Sequence, residues 1–179
     1  MKAKTHVAKC HPPDFFDALG VCHRDTLVHL DKLMALVSQL GLAVSNGKVR
    51  RQAREVVAFF SGPAREHNYD EERHVFPKLL ACEDVEVKQA AESLCEDHAW
   101  IEFCWLDIEP HLAAAAAGLS SYDLPALRAA AEAFSTVMRD HMALEESLLY
   151  PHLRGRLKAS TLRSISRATA ARRVARSRG

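Results

Sequence analysis

The chain has 179 residues, 48% of them hydrophobic and 26% charged, with a formal net charge of +1; that is ordinary for a globular protein of one domain, or one domain with tails, able to bury a real core. No run of eighteen apolar residues occurs, which excludes a membrane-spanning helix. The opening MKAKTHVAKCHPPDFFD has basic residues with no apolar stretch behind them, so no secretory signal is read, and five cysteines without CxxC spacing suit reduced thiols in a cytoplasm.

Ala and Leu are plentiful and Gly is scarce, which favours helices. The first predicted helix runs from about Asp14, its N-cap, to Leu40, with Phe16, Leu19, Thr26, Leu30, Leu33 and Val37 on one stripe. Ser45-Asn46-Gly47 marks a turn. The second helix runs from about Lys48 to Leu80, with a kink expected at Gly62-Pro63 and loosened last turns at Pro77. The third starts near Asp84, and Pro110 is expected to bend or end it before the Ala-rich run and Gly118. The fourth starts near Asp123-Leu124-Pro125 and reaches Tyr150-Pro151, and a short fifth is expected around Leu153–Ile165. Four long amphipathic segments with short links pack best as an all-α, up-down-up-down four-helix bundle. The expected organisation is an N-terminal arm over 1–13, the bundle over 14–153 and a basic extension over 154–179.

That extension is uneven in charge. No acid follows Glu146, while nine Lys or Arg lie from Arg154 onward, leaving 15 basic against 23 acidic residues before it. The tail suits contact with nucleic acid or an acidic partner, or else is a frayed, solvated end.

HNYDEERHVFP at 67–77 returns as HMALEESLLYP at 141–151. His67 lies seven residues after Phe60, His141 seven after Phe134, His98 four after Leu94 and His23 four after Leu19, so each helix turns one imidazole toward the core. Glu71, Glu145 and Glu102 each follow a histidine by four residues, on the same face. The His23–His67 midpoint falls on the Ser45–Gly47 turn and the His98–His141 midpoint between Leu119 and Ser120, so the four rings are expected in one layer. His29 competes with His23, but it stands six residues on, about 9 Å along the helix and on a different face. Buried carboxylates cost several kcal/mol each unless paired or bound to a cation. No inward Lys or Arg is visible, so metal is the simpler explanation.

Six or seven N/O ligands exceed the needs of one tetrahedral zinc and suit iron or manganese. Glutamates from opposite helices, each one turn from a histidine, are placed to bridge two ions. A ferritin-like pattern needs Glu-x-x-His twice; Glu71-x-x-His74 fits once and Glu145-x-x-Leu148 does not.

The two repeats, with CHRDTL and DHAWIE around the single histidines, resemble the hemerythrin-like (HHE cation-binding) family over about residues 14–152. The resemblance implies metal ligation by His23, His67, Glu71, His98, His141 and Glu145. It implies two non-haem iron ions, carboxylate-bridged with an oxo or hydroxo group, that meet oxygen, peroxide or nitric oxide in sensing, detoxification or iron handling. Repair of iron–sulfur clusters and a metal-switched regulatory module using the basic tail are the alternatives. Oxygen carriers of that family have H-x-x-x-H on the third helix, where Glu102 stands here, and H-x-x-x-x-D on the last, where Glu145 and Glu146 stand. More carboxylate favours the ferric state over reversible oxygen carriage. Glu102 is expected as a seventh ligand or as a hydrogen-bond partner of a ligand histidine. His74 and His152 are read as lying outside the layer near the bundle mouth, Asp70 and Glu72 as solvated, Cys22 and Cys95 as small core residues with a redox role as the alternative, and Trp100 and Trp105 as packing.

Overall fold

A computed structural model describes residues 14–40, 47–120 and 123–176, and every element among them is helical. Helix α1 spans Phe15–Leu40. Asp14 and Asp17 cap each other: the Asp17 N–H donates to Asp14 Oδ1 at 2.9 Å and the Asp14 N–H to Asp17 Oδ2 at 3.0 Å. The stripe read from the sequence is buried, from Phe16 to Val37. The expected turn at 45–47 falls mostly outside the described residues, and α2 spans Gly47–Phe59.

The expected kink at Pro63 takes a specific form. Residues Phe60–Ala64 make a π-helical turn with Pro63 inside it. Proline has no N–H and its ring crowds the carbonyl four residues back, so the helix widens there instead of breaking. Helix α3 follows over Arg65–His74, and Val75 interrupts it before α4, Phe76–Leu80, with Pro77 in its first turn.

Helix α5 spans Val85–Ala117. Asp84 caps it, accepting from the Val87 N–H at 3.3 Å. Pro110, expected to bend or end the helix, does not end it; the carbonyl deprived of a donor belongs to Leu106, whose side chain is exposed. The helix stops instead at Gly118, whose φ of 82° is the left-handed conformation that a glycine adopts without strain. Helix α6 spans Leu124–Leu144, capped by Asp123 with Pro125 in its first turn. A second π-helical turn, Glu145–Leu149, leads into α7, Tyr150–Arg154. The C-terminal helix α8 spans Ala159–Arg176, longer and later than the short helix expected.

Helix α1 lies against α2 and α6, and α5 lies against the same two. The apolar interior is divided. Leu30, Leu33, Val56, Phe60, Trp105, Ile108 and Phe134 belong to one cluster; Phe16, Leu19, Phe76, Leu79, Leu94 and Leu153 belong to another. Helix α8 adds Leu162 and Ile165 to the second cluster, so a segment read as a candidate frayed tail contributes to the core. Burying each such side chain is worth about 1.5–3 kcal/mol, enough to hold a helix whose sequence is otherwise mostly polar. No helix among the described residues is long and apolar enough to cross a membrane.

Candidate metal centre

Between the two apolar clusters lies a layer of charge. His23, His67, His98 and His141 are each at most 5% exposed, and Glu71 and Glu145 are 0% exposed. Their order follows from the helical period: Glu71 and Glu145 sit one turn beyond His67 and His141, so each carboxylate rises to its own histidine and meets another across the bundle. Glu71 Oε2 lies 3.1 Å from His67 Nε2 and 3.6 Å from His98 Nε2. Glu145 lies 3.2 Å from His141 Nε2 and 3.3 Å from His23 Nε2. Both carboxylates therefore span two histidines.

The imidazoles pair as well. His23 Nε2 stands 2.9 Å from His67 Nε2, and His98 Nε2 stands 3.1 Å from His141 Nε2. Two nitrogens bound about 2.1 Å from one ion at a right angle stand about 3 Å apart, so this is ligand spacing. Two overlapping sets result, His23–His67–Glu71–Glu145 and Glu71–His98–His141–Glu145, each with ligand atoms within 4.8 Å of one another. They share the two glutamates.

The donor set fits a pair of cations on grounds of satisfaction alone. Glu71 Oε2 and both oxygens of Glu145 are buried without a hydrogen-bond partner. A buried anionic oxygen left so is costly unless a cation stands beside it. Among the described residues no Lys or Arg is paired with either glutamate. The electrostatics agree. Burial disfavours charge on His67, but the Glu71 carboxylate and then the Cys22 thiol outweigh it and hold the ring well above the usual histidine value. Burial likewise opposes charge on His98, and the neighbouring Glu71 and Glu72 carboxylates raise it to about 9. Burial pushes Glu71 up, yet His67 and His98 hold it well below the usual carboxylate range. The cluster demands positive charge, and protons and metal ions compete for it.

The outer face of the rings is furnished too. His23 Nδ1 meets Glu146 Oε1 at 2.8 Å, His98 Nδ1 meets Glu72 Oε1 at 3.0 Å, and His141 Nδ1 lies 3.5 Å from Asp97 Oδ2. A carboxylate on Nδ1 fixes the ring and leaves Nε2 free to bind an ion. Glu72 was expected as mere solvated face; it remains half exposed but holds His98.

Two further readings, of Glu102 and Asp70, need correction. Glu102 is not brought to the cluster. Its side chain is 46% exposed and its carboxylate is bound by the Arg65 guanidinium, with Nε 3.0 Å from Oε2. Four residues turn a helix by 400°, and the drift past His98 is enough for a surface arginine to capture the side chain. Asp70, read as solvated, is fully buried and ion-paired with Arg172 of α8, which also pairs with Glu66 and stacks on Tyr69 with 4.4 Å from its guanidinium carbon to the ring centroid. His29 lies flat on Phe59, centroids 3.8 Å apart, and bonds Asp25 O, away from the layer. His74 packs edge-on against Phe15, and His152 Nδ1 lies 4.0 Å from Asp84. Trp105 is buried in the core and Trp100 is exposed, stacked on Phe103.

Tyr150 also belongs to the layer. Tyr150 hydrogen-bonds Glu71 Oε1, and its hydroxyl lies 3.2 Å from His23 Nε2. Burial, then Glu71 and Glu145, push its phenol well above the usual value, so it stays a donor. The signal was present: Tyr150 occupies in the second repeat the place of Phe76 in the first.

A family model for the hemerythrin HHE cation binding domain matches residues 14–159. No curated protein matches the chain. The match covers the whole layer, and the chain belongs to the hemerythrin HHE cation binding domain family.

Proposed function

We propose that this member of the family binds two iron ions in one layer of an up-down-up-down bundle, as a non-haem di-iron protein that meets oxygen, peroxide or nitric oxide. The observation that carries the reading is the sharing of Glu71 and Glu145 between two histidine pairs, with three of their oxygens buried and unpartnered. His23 and His67 would hold one ion and His98 and His141 the other, with the two glutamates between them. Imidazole with carboxylate suits iron over calcium or magnesium, and six shared donors suit two ions better than one tetrahedral zinc. When bound, the iron pair supplies a change of oxidation state and an open coordination position.

The chain's own residues supply the setting. Phe16, Phe76 and Leu94 on one side and Phe60, Trp105 and Phe134 on the other are buried apolar groups that keep water from the layer. Glu146 and Glu72 hold their rings from outside by hydrogen bonds, and Asp97 puts a carboxylate 3.5 Å from His141 Nδ1. Tyr150 places its hydroxyl at the layer itself, donating to Glu71 Oε1 and 3.2 Å from His23 Nε2.

The test is metal analysis of protein purified without added metal. Two irons per chain is the expected result; one zinc per chain overturns it. Adding azide or nitric oxide to the reduced protein should change its visible absorption, which a closed structural site would not do. One observation favours a regulatory reading beside this. Arg172 ties the basic helix α8 to Glu66 and Asp70, which flank His67 and Glu71, so metal occupancy and tail docking act on the same turns of α3. On that reading Arg172→Ala, which releases Glu66 and Asp70 but leaves α8 in the chain, should change the iron affinity of the site, and an unchanged affinity would separate tail from metals.

A further inference from the structure

The layer is built twice. The first repeat supplies His67, Glu71, Glu72 and Phe76; the second supplies His141, Glu145, Glu146 and Tyr150, each 74 residues later. Each repeat serves the histidine of the other hairpin in the same way. Glu72 holds the His98 ring, and Glu146 holds the His23 ring. The residue just before each of those single histidines faces the repeat histidine in turn. Asp97 lies 3.5 Å from His141 Nδ1; Cys22 holds the matching place before His23, where its thiol interacts with the His67 ring and donates to Pro63 O at 3.9 Å. The two halves are thus related by an approximate twofold, position by position.

Two places break the relation, and both fall in the same half. Asp97 on one side is matched by Cys22 on the other, so a carboxylate is replaced by a thiol. Phe76, whose ring lies 5.0 Å from that of His98, is matched by Tyr150, stacked 5.5 Å from His23. The pair His98–His141 therefore has a carboxylate on each ring and an apolar wall. The pair His23–His67 has one carboxylate, one thiol and a phenol hydroxyl. A carboxylate on Nδ1 raises imidazole basicity and fixes the ring, and losing such a partner costs about 10–100-fold in metal affinity. A neutral thiol is a weak donor and does neither well. His67 Nδ1 and His141 Nδ1 are both buried without a hydrogen bond of ordinary geometry, but only His141 Nδ1 has a carboxylate beside it, Asp97 at 3.5 Å.

We propose that the two metal positions are unequal, the one between His23 and His67 being the weakly held and exchangeable one, and that Cys22 is the positioning residue that makes it so. The inference rests on the two-ion reading above. It divides the labour of the site: the His98–His141 ion stays and organises the shared glutamates, while the His23–His67 ion is the one that leaves first under a chelator and returns first on reloading. The Cys22 side chain also lines a groove of about 690 Å3 between α1 and the π-helical turn, beside Gly62 and Pro63.

The experiment titrates the metal-free full-length chain with Co2+ against a competing chelator, following the visible bands. Two phases separated by tenfold or more in affinity are expected. Cys22→Asp should strengthen the weaker phase about 10–100-fold and leave the tighter one unmoved, whereas Cys22→Asn, of the same shape without the charge, should gain less than threefold. Asp97→Asn should weaken the tighter phase about 10–100-fold, bringing the two together, and it decides the matter independently if Cys22→Asp does not fold. Two equal phases in the native chain, or a weaker phase indifferent to Cys22→Asp, or a tighter phase indifferent to Asp97→Asn, would overturn the proposal. Fewer than two Co2+ bound per chain would instead defeat the two-ion reading on which it rests.

Discussion

The segments 67–77 and 141–151 carry the same pattern and do different things. Both place a histidine, a shared glutamate and an outer glutamate in one layer. The first is clamped from outside: Asp70 is buried beneath Arg172 of α8. The second has Leu144 at that place, packed against the apolar cluster, and a π-helical turn starting at its own shared glutamate, Glu145. The first ends in an apolar Phe76, the second in Tyr150 with its hydroxyl on Glu71. A repeat fixes which side chains reach the layer. What surrounds each copy decides how firmly it is held.

The largest expected effect tests what the two copies share. Glu71→Gln and Glu145→Gln each remove one of the shared carboxylates, so each should reduce bound iron from two per chain to one or less by metal analysis. If one substitution spares both ions, the copies are not equivalent even at the glutamates.

A smaller effect tests the clamp, which only the first copy has. Arg172→Ala takes the guanidinium from the buried Asp70 carboxylate. Breaking a buried pair costs about 3–5 kcal/mol, and because Arg172 is a quarter exposed about 2 kcal/mol is expected in denaturant unfolding of the metal-free protein. Asp70→Asn in the same chain should return most of it. No loss from Arg172→Ala would mean that α8 docks through Leu162 and Ile165 alone.

Smaller still, Tyr150→Phe makes the second copy read as the first. One hydrogen bond to a carboxylate goes while the ring packing stays, so about 1 kcal/mol of stability should be lost. The optical change on adding azide should also be altered, whereas Phe76→Tyr should leave it close to native. The least effect concerns pH. In the metal-free protein His98 keeps its proton to about pH 9, against 6.5 for an ordinary histidine. Its folded value is raised, so its contribution to stability is full below about pH 6.5 and is lost as pH climbs toward 9. Glu72→Gln should shrink that decline, measured as unfolding midpoint against pH, and an unchanged profile would break the link between Glu72 and His98.

Much of this was legible in the sequence because it depends on neighbours three or four residues away. Asp84 and Asp123 cap their helices through backbone donors three residues ahead. His67 with Glu71 and His141 with Glu145 share a face because of the helical period. Glu102 obeyed the same local rule and still went elsewhere, because Arg65, 37 residues before it, was within reach. Pro110 carries a local signal to bend or stop, and the stop was overridden by the tertiary structure, with about nine turns of α5 held between α2 and α6.

By itself the sequence determined the helices, their capped starts and the set of imidazoles and carboxylates turned inward, since 3.6 residues per turn makes these properties of short stretches of chain. Only the tertiary structure decided which groups close around them. Arg172 finds Asp70 across 102 residues, Tyr150 finds Glu71 across 79, and Glu146 finds His23 across 123. Such meetings depend on the packing of whole helices, because a side chain reaches only a few ångströms and nothing within one helix says what the next will bring to it.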